Sequence, residues 1–489
     1  MNLAEYTSVD ATDLAKLLAE GDLAAREVLD AAYEAAAQVN PVVNAAVELY
    51  EPPVEPAAGA RFGDRAGPFA GVPSLRKDIH DEKGRLVEYG SRLGVGNRAE
   101  ADGPVLGAMK AAGLVFIGRS ATSELALYGT TETILFGATC NPYDLSKSAG
   151  GSSGGAAAAV AAGIVPVADA SDAGGSMRIP ASCCGLVALK PTVLPVRRGR
   201  GPSDLGGNTE LVLARSVRDL WAMAAFLGHL KAQPGNCLSA QSAVMAEPQA
   251  GSGGRLRVAV SSDAWEPRTS VEGEIVSCVE QVAQALVEEG CSIEQARPRF
   301  APEAYWQVLL TRLCLGLREE CLALSASTGR PLSPALLEPV TWMYLEEADR
   351  LGPRDLKDAL SHRDRIVAEV SAFFESFDLL LTPSLQVLPP PLGTAGGRAP
   401  AATAHEHVLL GEQVCPNMAV FNITGNPAMN LPAGLSSSGL PIGIQLVGRH
   451  GRDAELLRVA SQLEERLAWA GRRPTTHAGA RTARIPIDR

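Results

Sequence analysis

Two serines set in glycine-rich turns 24 residues apart (176 − 152 = 24) constrain what this chain can fold into. The first lies in Gly150-Gly151-Ser152-Ser153-Gly154-Gly155, which runs straight into an alanine-rich stretch. The second lies in Asp172-Ala173-Gly174-Gly175-Ser176-Met177-Arg178-Ile179-Pro180. Between them there is room for one helix and one short strand, so the two loops return to the same edge of a sheet. Glycine gives each loop backbone angles closed to other residues and lets a neighbouring group come up against the main chain. A third piece lies upstream: Gly71-Val72-Pro73-Ser74-Leu75-Arg76-Lys77-Asp78, a lysine near an apolar strand start. On a strand, Arg76 and Asp78 point opposite to Lys77, which leaves Lys77 facing inward.

The rest of the chain fits around this core. Asp10 or Thr12 reads as an N-cap, and Leu14, Leu17 and Leu18 recur at helical spacing until Gly21. A second amphipathic helix is predicted over 24–38, closed by Asn40-Pro41, and an Ala/Gly/Pro-rich loop over 52–67. Strands are predicted at 114–117, 164–168, 256–260, 379–381 and 442–447, and helices at 103–112, 155–162 and 271–289. Such alternation argues an α/β fold, a central mixed twisted sheet covered by helices on both faces. Residues 302–377 read as almost wholly helical, with Trp306, Leu309, Leu310 and Leu313 on one face, and are taken as an insertion beside the sheet. The organisation expected is an N-terminal helical segment (1–70), a core (71–250) and the remainder of the same domain (251–489). At 489 residues, a sizeable core can be buried.

Charge and cysteine usage narrow the function classes. With 55 acidic against 44 basic residues the formal net charge is −11, a field that repels nucleic acid. The basic runs Arg197-Arg198-Gly199-Arg200 and Arg472-Arg473 are short and read as solvated loop charges. The nine cysteines (140, 183, 184, 237, 278, 291, 314, 321 and 415) form no CxxC and no legible zinc or disulfide framework. Reduced thiols in a cytoplasmic protein are expected, with Cys183, Cys184 and Cys314 filling apolar space. Met1-Asn2-Leu3-Ala4-Glu5 has none of the pattern of a signal peptide, and the longest apolar stretch, 156–167, is too short to span a bilayer. His80, His405 and His407 have no partner spacing that suggests a metal and read as solvated or satisfied histidines.

Taken singly, a lysine is a surface charge and a Gly/Ser loop is a linker; their order together says more. Residues 150–192 resemble the amidase signature, and the likeness continues through 90–124. It also takes in Phe377-Asp378-Leu379-Leu380-Leu381-Thr382-Pro383, Phe421-Asn422-Ile423-Thr424-Gly425-Asn426-Pro427-Ala428, Gly439-Leu440-Pro441-Ile442-Gly443-Ile444-Gln445 and Asp453. It is weakest over roughly 200–375. The resemblance implies hydrolysis of a carbon–nitrogen amide bond, with Lys77 as base, Ser152 as a bridging serine on a cis peptide, and Ser176 as nucleophile. The backbone N–H groups of Ala173, Gly174, Gly175 and Ser176 would form the oxyanion hole. Ser153 would hold the loop by hydrogen bonds, and an Asp172–Arg178 ion pair would brace it. A serine hydroxyl needs a base to take its proton. For Lys77 to serve near neutrality its pKa must fall by about 3 pH units, which burial away from carboxylates can supply.

No metal or organic cofactor is implied, and the expected partner is a small-molecule amide, with a homodimer left open. The stretch Thr328-Gly329-Arg330-Pro331-Leu332 through Trp342, and the tail Arg472-Arg473-Pro474, are similar to the 6-aminohexanoate-cyclic-dimer hydrolase subgroup. That points to a linear or cyclic aliphatic amide, or a carbamate. Two small departures from the family pattern stand out: Ala170-Ser171 where Gly-Thr is usual, and Arg76 at a spot often apolar. Rivals remain. Gly151-Ser152-Ser153-Gly154-Gly155 also fits the nucleophile elbow of α/β-hydrolase esterases, although the preceding 142–149 is polar and turn-like. A nucleotide binder is disfavoured because no G-x-x-x-x-G-K-[ST] exists. The intact lysine and serines argue against a catalytically dead relative acting as a binding module. Within the family, an amidotransferase subunit is the alternative.

Overall fold

The computed structural model describes residues 1–52, 67–193, 205–232, 255–265, 269–398 and 400–480. Cys237, the basic run 197–200 and all of the 52–67 loop but its two ends lie outside the described residues.

A short helix, Leu3–Ser8, opens the chain, and the next, Ala11–Glu20, starts where expected: the Asp10 side chain accepts the Asp13 N–H, and Gly21 ends the helix at φ 81°. The next helix, Ala25–Val43, runs through Pro41 instead of stopping there. Pro41 sits in the last turn, where little helix remains to be disturbed. Closure comes at Asn44, which takes the left-handed conformation and donates its N–H to Asn40 O. Asn40 then accepts the N–H groups of Ala45 and Ala46 on its side chain and launches the first strand.

Two sheets carry the site. In the smaller one, β1 (Ala46–Leu49) and β2 (Pro73–Lys77) flank β3 (Val115–Ser120), antiparallel and parallel to it respectively. The larger contains β4 (Val167–Asp172), β5 (Val187–Lys190), β6 (Thr209–Ala214), β7 (Arg257–Val260), β8 (Ser292–Gln295), β9 (Leu379–Pro383), β10 (Ala428–Leu435) and β11 (Pro441–Gly448). Its order is β8-β7-β9-β11-β10-β5-β6-β4; β7 is parallel to β8 and β9, and the remaining pairs are antiparallel. This is the mixed α/β architecture expected. The strand read at 164–168 lies three to four residues later, at Val167–Asp172. Its last four residues include Asp169, Ser171 and Asp172, which an apolar-run reading cuts off, yet all six residues are buried.

The helix Gly154–Ala161 is alanine-rich on every side and, accordingly, buried on every side. It packs with Arg178–Cys184, against β4 and β2. The helices Val217–Ala232, Gly273–Glu288 and Asp453–Leu467 pack on the large sheet and on one another. The insertion consists of Pro302–Thr328, Pro339–Arg350 and Pro353–Ser376, each opened by a proline in the first turn, where its missing N–H costs nothing. These helices build a second apolar cluster around Tyr305, Val308, Tyr344, Ile366 and Phe421. Leu309 and Leu317 of Pro302–Thr328, which belong to that cluster, also line a cavity together with Arg312, Leu313 and Glu320.

Candidate active site

Lys77 ends β2 and is wholly buried. Its Nζ lies 2.7 Å from Ser152 Oγ and 3.0 Å from Ser171 Oγ. A neutral amine has two N–H donors and one lone pair, so it can donate to one hydroxyl and accept from the other. Burial is the largest influence on this amine and brings its pKa down to about 7, against the opposing pull of Asp169, Asp172, Glu210 and Glu320. The expectation of burial away from carboxylates is thus corrected. Carboxylates are near, and desolvation outweighs them. The flanking charges are engaged elsewhere. Arg76 donates to Tyr50 Oη (2.8 Å), Glu82 (3.1 Å) and His80 O (2.9 Å), while Asp78 pairs with Arg119 at 2.7 Å.

Ser152 follows a cis peptide from Gly151. Gly151 is required there because a Cβ would sit 2.6 Å from the Thr130 carbonyl carbon. Ser153 is buried and turns its hydroxyl onto the Ser171 backbone, donating to the carbonyl at 3.3 Å and accepting the N–H at 3.4 Å. Its own N–H reaches Ser176 O at 3.2 Å, which holds the two serine loops side by side. A hydroxyl so placed is a brace, and the short strand before it, Asp144–Ser148, pairs with Cys140–Asn141 and bridges Pro391 rather than joining the large sheet. The esterase elbow finds no support in that geometry.

Ser176 is half-buried in the turn between β4 and the helix Arg178–Cys184, and shares a cavity of about 670 Å³ with Ser152 and Ser171. Asp172 and Arg178, both fully buried, join by two 2.9 Å bonds. Desolvation pushes the Asp172 carboxyl up, but Arg178, Asn422 and the Gly175 N–H outweigh it and hold it below the usual carboxylate range. Arg178 also donates to Met418 O (3.1 Å), Gln445 (2.6 Å) and Asn422 (2.8 Å), so the carboxy-terminal motifs converge on this one side chain. The Gly175 N–H is given to Asp172 Oδ1 at 2.8 Å. Among the described residues no hydrogen bond engages the N–H groups of Ala173, Gly174 and Ser176. Of the four N–H groups expected as oxyanion donors, that of Gly175 is the one engaged within the protein.

Sequence reasoning missed several neighbours. Asp169 accepts the Lys77 backbone N–H at 3.1 Å, and Ser171, two residues on and hence on the same strand face, reaches the Lys77 amine. That period of two was the available signal. Arg312, from the helical insertion, donates to Ala173 O at 2.5 Å and lines the cavity; nothing local in the sequence marks it. His80 is buried against Asp169, and His407 is held between Tyr344 Oη and Gly396 O at 2.9 Å each, while His405 is exposed. Cys183, Cys184 and Cys314 are buried free thiols. Among the described residues, no group of three or more His, Cys, Asp or Glu could hold a metal ion, and no helix is long and apolar enough to cross a membrane.

Residues 27–457 match the family described as Amidase. The chain is 35% identical over 487 residues to the 6-aminohexanoate-cyclic-dimer hydrolase of Paenarthrobacter ureafaciens, spanning 95% of this chain and 96% of that one. It is 32% identical over 494 residues to an acylamidase of Rhodococcus erythropolis, spanning 95% and 97%. A solved structure of 6-aminohexanoate cyclic dimer hydrolase complexed with substrate superposes with a TM-score of 0.83 at 32% identity, covering 96% of this chain and 99% of that one.

Proposed function

The chain belongs to the amidase signature family and is a hydrolase of amide carbon–nitrogen bonds, and from that premise we propose that Ser176 is its acylated nucleophile, served by Ser152 and Lys77. The observation that carries this reading is the 2.7 Å contact between a buried amine, its pKa lowered by that burial, and Ser152, which lines the same cavity as Ser176. Lys77 takes the Ser152 proton as Ser152 takes that of Ser176, and Ser176 Oγ adds to the amide carbonyl. The developing oxyanion is met by the N–H groups of Ala173, Gly174 and Ser176; one such donor is typically worth about 3 kcal/mol in the transition state. Ser152 then delivers the proton to the departing amine. Water, activated through the same two groups, frees the acyl chain from Ser176.

The cavity favours an uncharged aliphatic amide. Its wall is mainly apolar, with Ile79, Leu125, Leu309, Leu317, Val387 and Val408, while Ser152, Ser171 and Ser176 supply hydroxyls and Arg312, Glu320 and Glu412 supply charged groups elsewhere on the lining. This agrees with the substrate class named for the similar cyclic-dimer hydrolases. We read the substrate as a linear or cyclic aliphatic amide, or a carbamate, bound without a metal or organic cofactor. A fluorophosphonate probe followed by peptide mass spectrometry tests the nucleophile. The label is expected on Ser176 and absent from Ser176→Ala; label on Ser153 would restore the esterase reading.

A further inference from the structure

Behind the Lys77 amine lies a second polar cluster, with His80 and Asp169 buried and Glu210 partly exposed, that the reaction above does not use. His80 Nδ1 is 2.5 Å from Asp169 Oδ2, the oxygen that also accepts the Lys77 backbone N–H at 3.1 Å. The other ring nitrogen, Nε2, is 3.8 Å from Glu210 Oε2 and has no hydrogen-bond partner among the described residues, nor has Asp169 Oδ1. The charged groups facing the ring are Asp169 from β4, Glu210 from β6, and Lys77 and Asp81 from its own segment. Strand register explains the grouping. Glu210 pairs across from Ser171 in the β4–β6 ladder, and Asp169 shares the Ser171 face of β4, the face that meets Lys77.

An uncompensated carboxylate at Asp169 would stabilise Lys77 as an ammonium, which cannot accept a proton. We propose that His80 is a positioning residue: held as an imidazolium between Asp169 and Glu210, it cancels the carboxylate charge beside Lys77 and leaves that amine neutral. The inference rests on the reading of Lys77 as the base. Two effects act in the same sense. The imidazolium neutralises the anion that favours the ammonium, and it repels a positive charge on Lys77 directly. Burial works against the imidazolium, yet the Asp169 and Glu210 carboxylates overcome it and raise the His80 pKa above its ordinary value. His80, a residue whose sequence context suggested nothing, thereby sets the charge state of the base across the Asp169 bridge.

The test is the pH dependence of kcat/KM on a neutral aliphatic amide for wild type, His80→Gln, Asp169→Asn and the double variant, with circular dichroism on each. In His80→Gln the acid limb is expected to move up by about 1 to 3 pH units, the size a facing charge produces, with activity regained at alkaline pH. In Asp169→Asn, whose amide oxygen can still accept the Lys77 N–H, the limb moves down, and the double variant returns toward wild type. Nitrogen-15 shifts of the His80 ring at pH 7 in the wild-type enzyme are expected to be those of a doubly protonated ring. A limb that stays in place in both single variants, or a neutral His80 ring at that pH, overturns the proposal. Lys77→Ala separates the two readings. If it is inactive while the limb stays put, only the role of His80 fails; if it is active, the reading of Lys77 as base fails first.

Discussion

Arg178 closes on Asp172 in a fork, Nε to Oδ2 and Nη2 to Oδ1 at 2.9 Å each, with neither side chain exposed. The same carboxylate takes the Gly175 N–H, so the pair ties the Ser176 turn to the end of β4. Removing one partner leaves the other as a buried, unpaired charge. Arg178→Gln is therefore expected to cost about 3–5 kcal/mol in urea unfolding and most of the activity. The pH dependence has a definite sign. The folded Asp172 pKa lies below its unfolded value, so its contribution is complete above the ordinary carboxylate range and is lost as pH falls below about 4. Unfolding curves at pH 7 and pH 3 check this: the gap between wild type and Arg178→Gln should narrow at the lower pH.

Gly175 tests the loop from the backbone side. It sits at φ 118°, and a Cβ there would lie 2.9 Å from Ile179 Cδ1 and 3.0 Å from Met418 Cβ. Gly175→Ala adds backbone strain and a clash at once. The turn must shift, and with it the aim of the Gly174 and Ser176 N–H groups. We expect kcat to fall by about 10²-fold or more, the scale of one lost oxyanion donor, with KM for a small amide changing far less. Steady-state kinetics with a melting curve decides it; an unchanged kcat would remove this turn from the oxyanion hole.

The parts of this site legible in the sequence are those with a local signature. Glycine marks Gly151 and Gly175 because no other residue fits their packing or backbone angle, and the serines they flank come with them. What stayed hidden depends on residues far apart in the chain. Asp169 and Ser171 gain meaning only when β2 lies against β4, and Arg312 only when the insertion folds over Ala173. An apolar-run reading stops at 168 because polar residues follow, and those polar residues are the lysine's neighbours. The sequence around His80 suggests a solvated or satisfied ring; among the described residues it is satisfied at Nδ1 alone, by a carboxylate 89 positions away.

Lys190 is a second buried amine, donating to Pro191 O at 2.8 Å and brought down to about 7 chiefly by burial, with Arg178 adding to the effect. The unfolded chain holds this proton to about pH 10.4. Between about 7 and 10.4 the unfolded state thus binds more protons than the folded one, and stability rises with pH. Lys190→Met removes that titration. Its stability relative to wild type should be most favourable at pH 6 and decline toward pH 10, as chemical denaturation across that range can show.

Exhaustive chelation is expected to leave activity intact, because the proposed chemistry runs on Lys77, Ser152 and Ser176, and no cluster of metal-ligating side chains occurs among the described residues. Turnover of an aliphatic amide before and after dialysis against a strong chelator is the measurement. A loss restored by added zinc would place a metal in the reaction.

Lys77 gives the sharpest prediction. As a base it works only when neutral, and its folded pKa is brought down to about 7 by burial against the pull of four carboxylates. The rate should therefore rise with pH through one ionisation near 7 and level off above it, about 3 pH units below where an ordinary lysine titrates. Lys77→Ala should fold, since it exchanges a buried amine for a small cavity and leaves hydroxyls at Ser152 and Ser171 that can bond to each other or to water. Positioned acid–base catalysis is typically worth about 10²–10⁴-fold, and the loss should be at least that large. Lys77→Arg should do no better, because a guanidinium keeps its proton throughout this range and exceeds the space between the two serines. Circular dichroism separates lost chemistry from lost structure. A folded Lys77→Ala enzyme that turns over an unactivated amide at near wild-type rate would remove Lys77 from the mechanism.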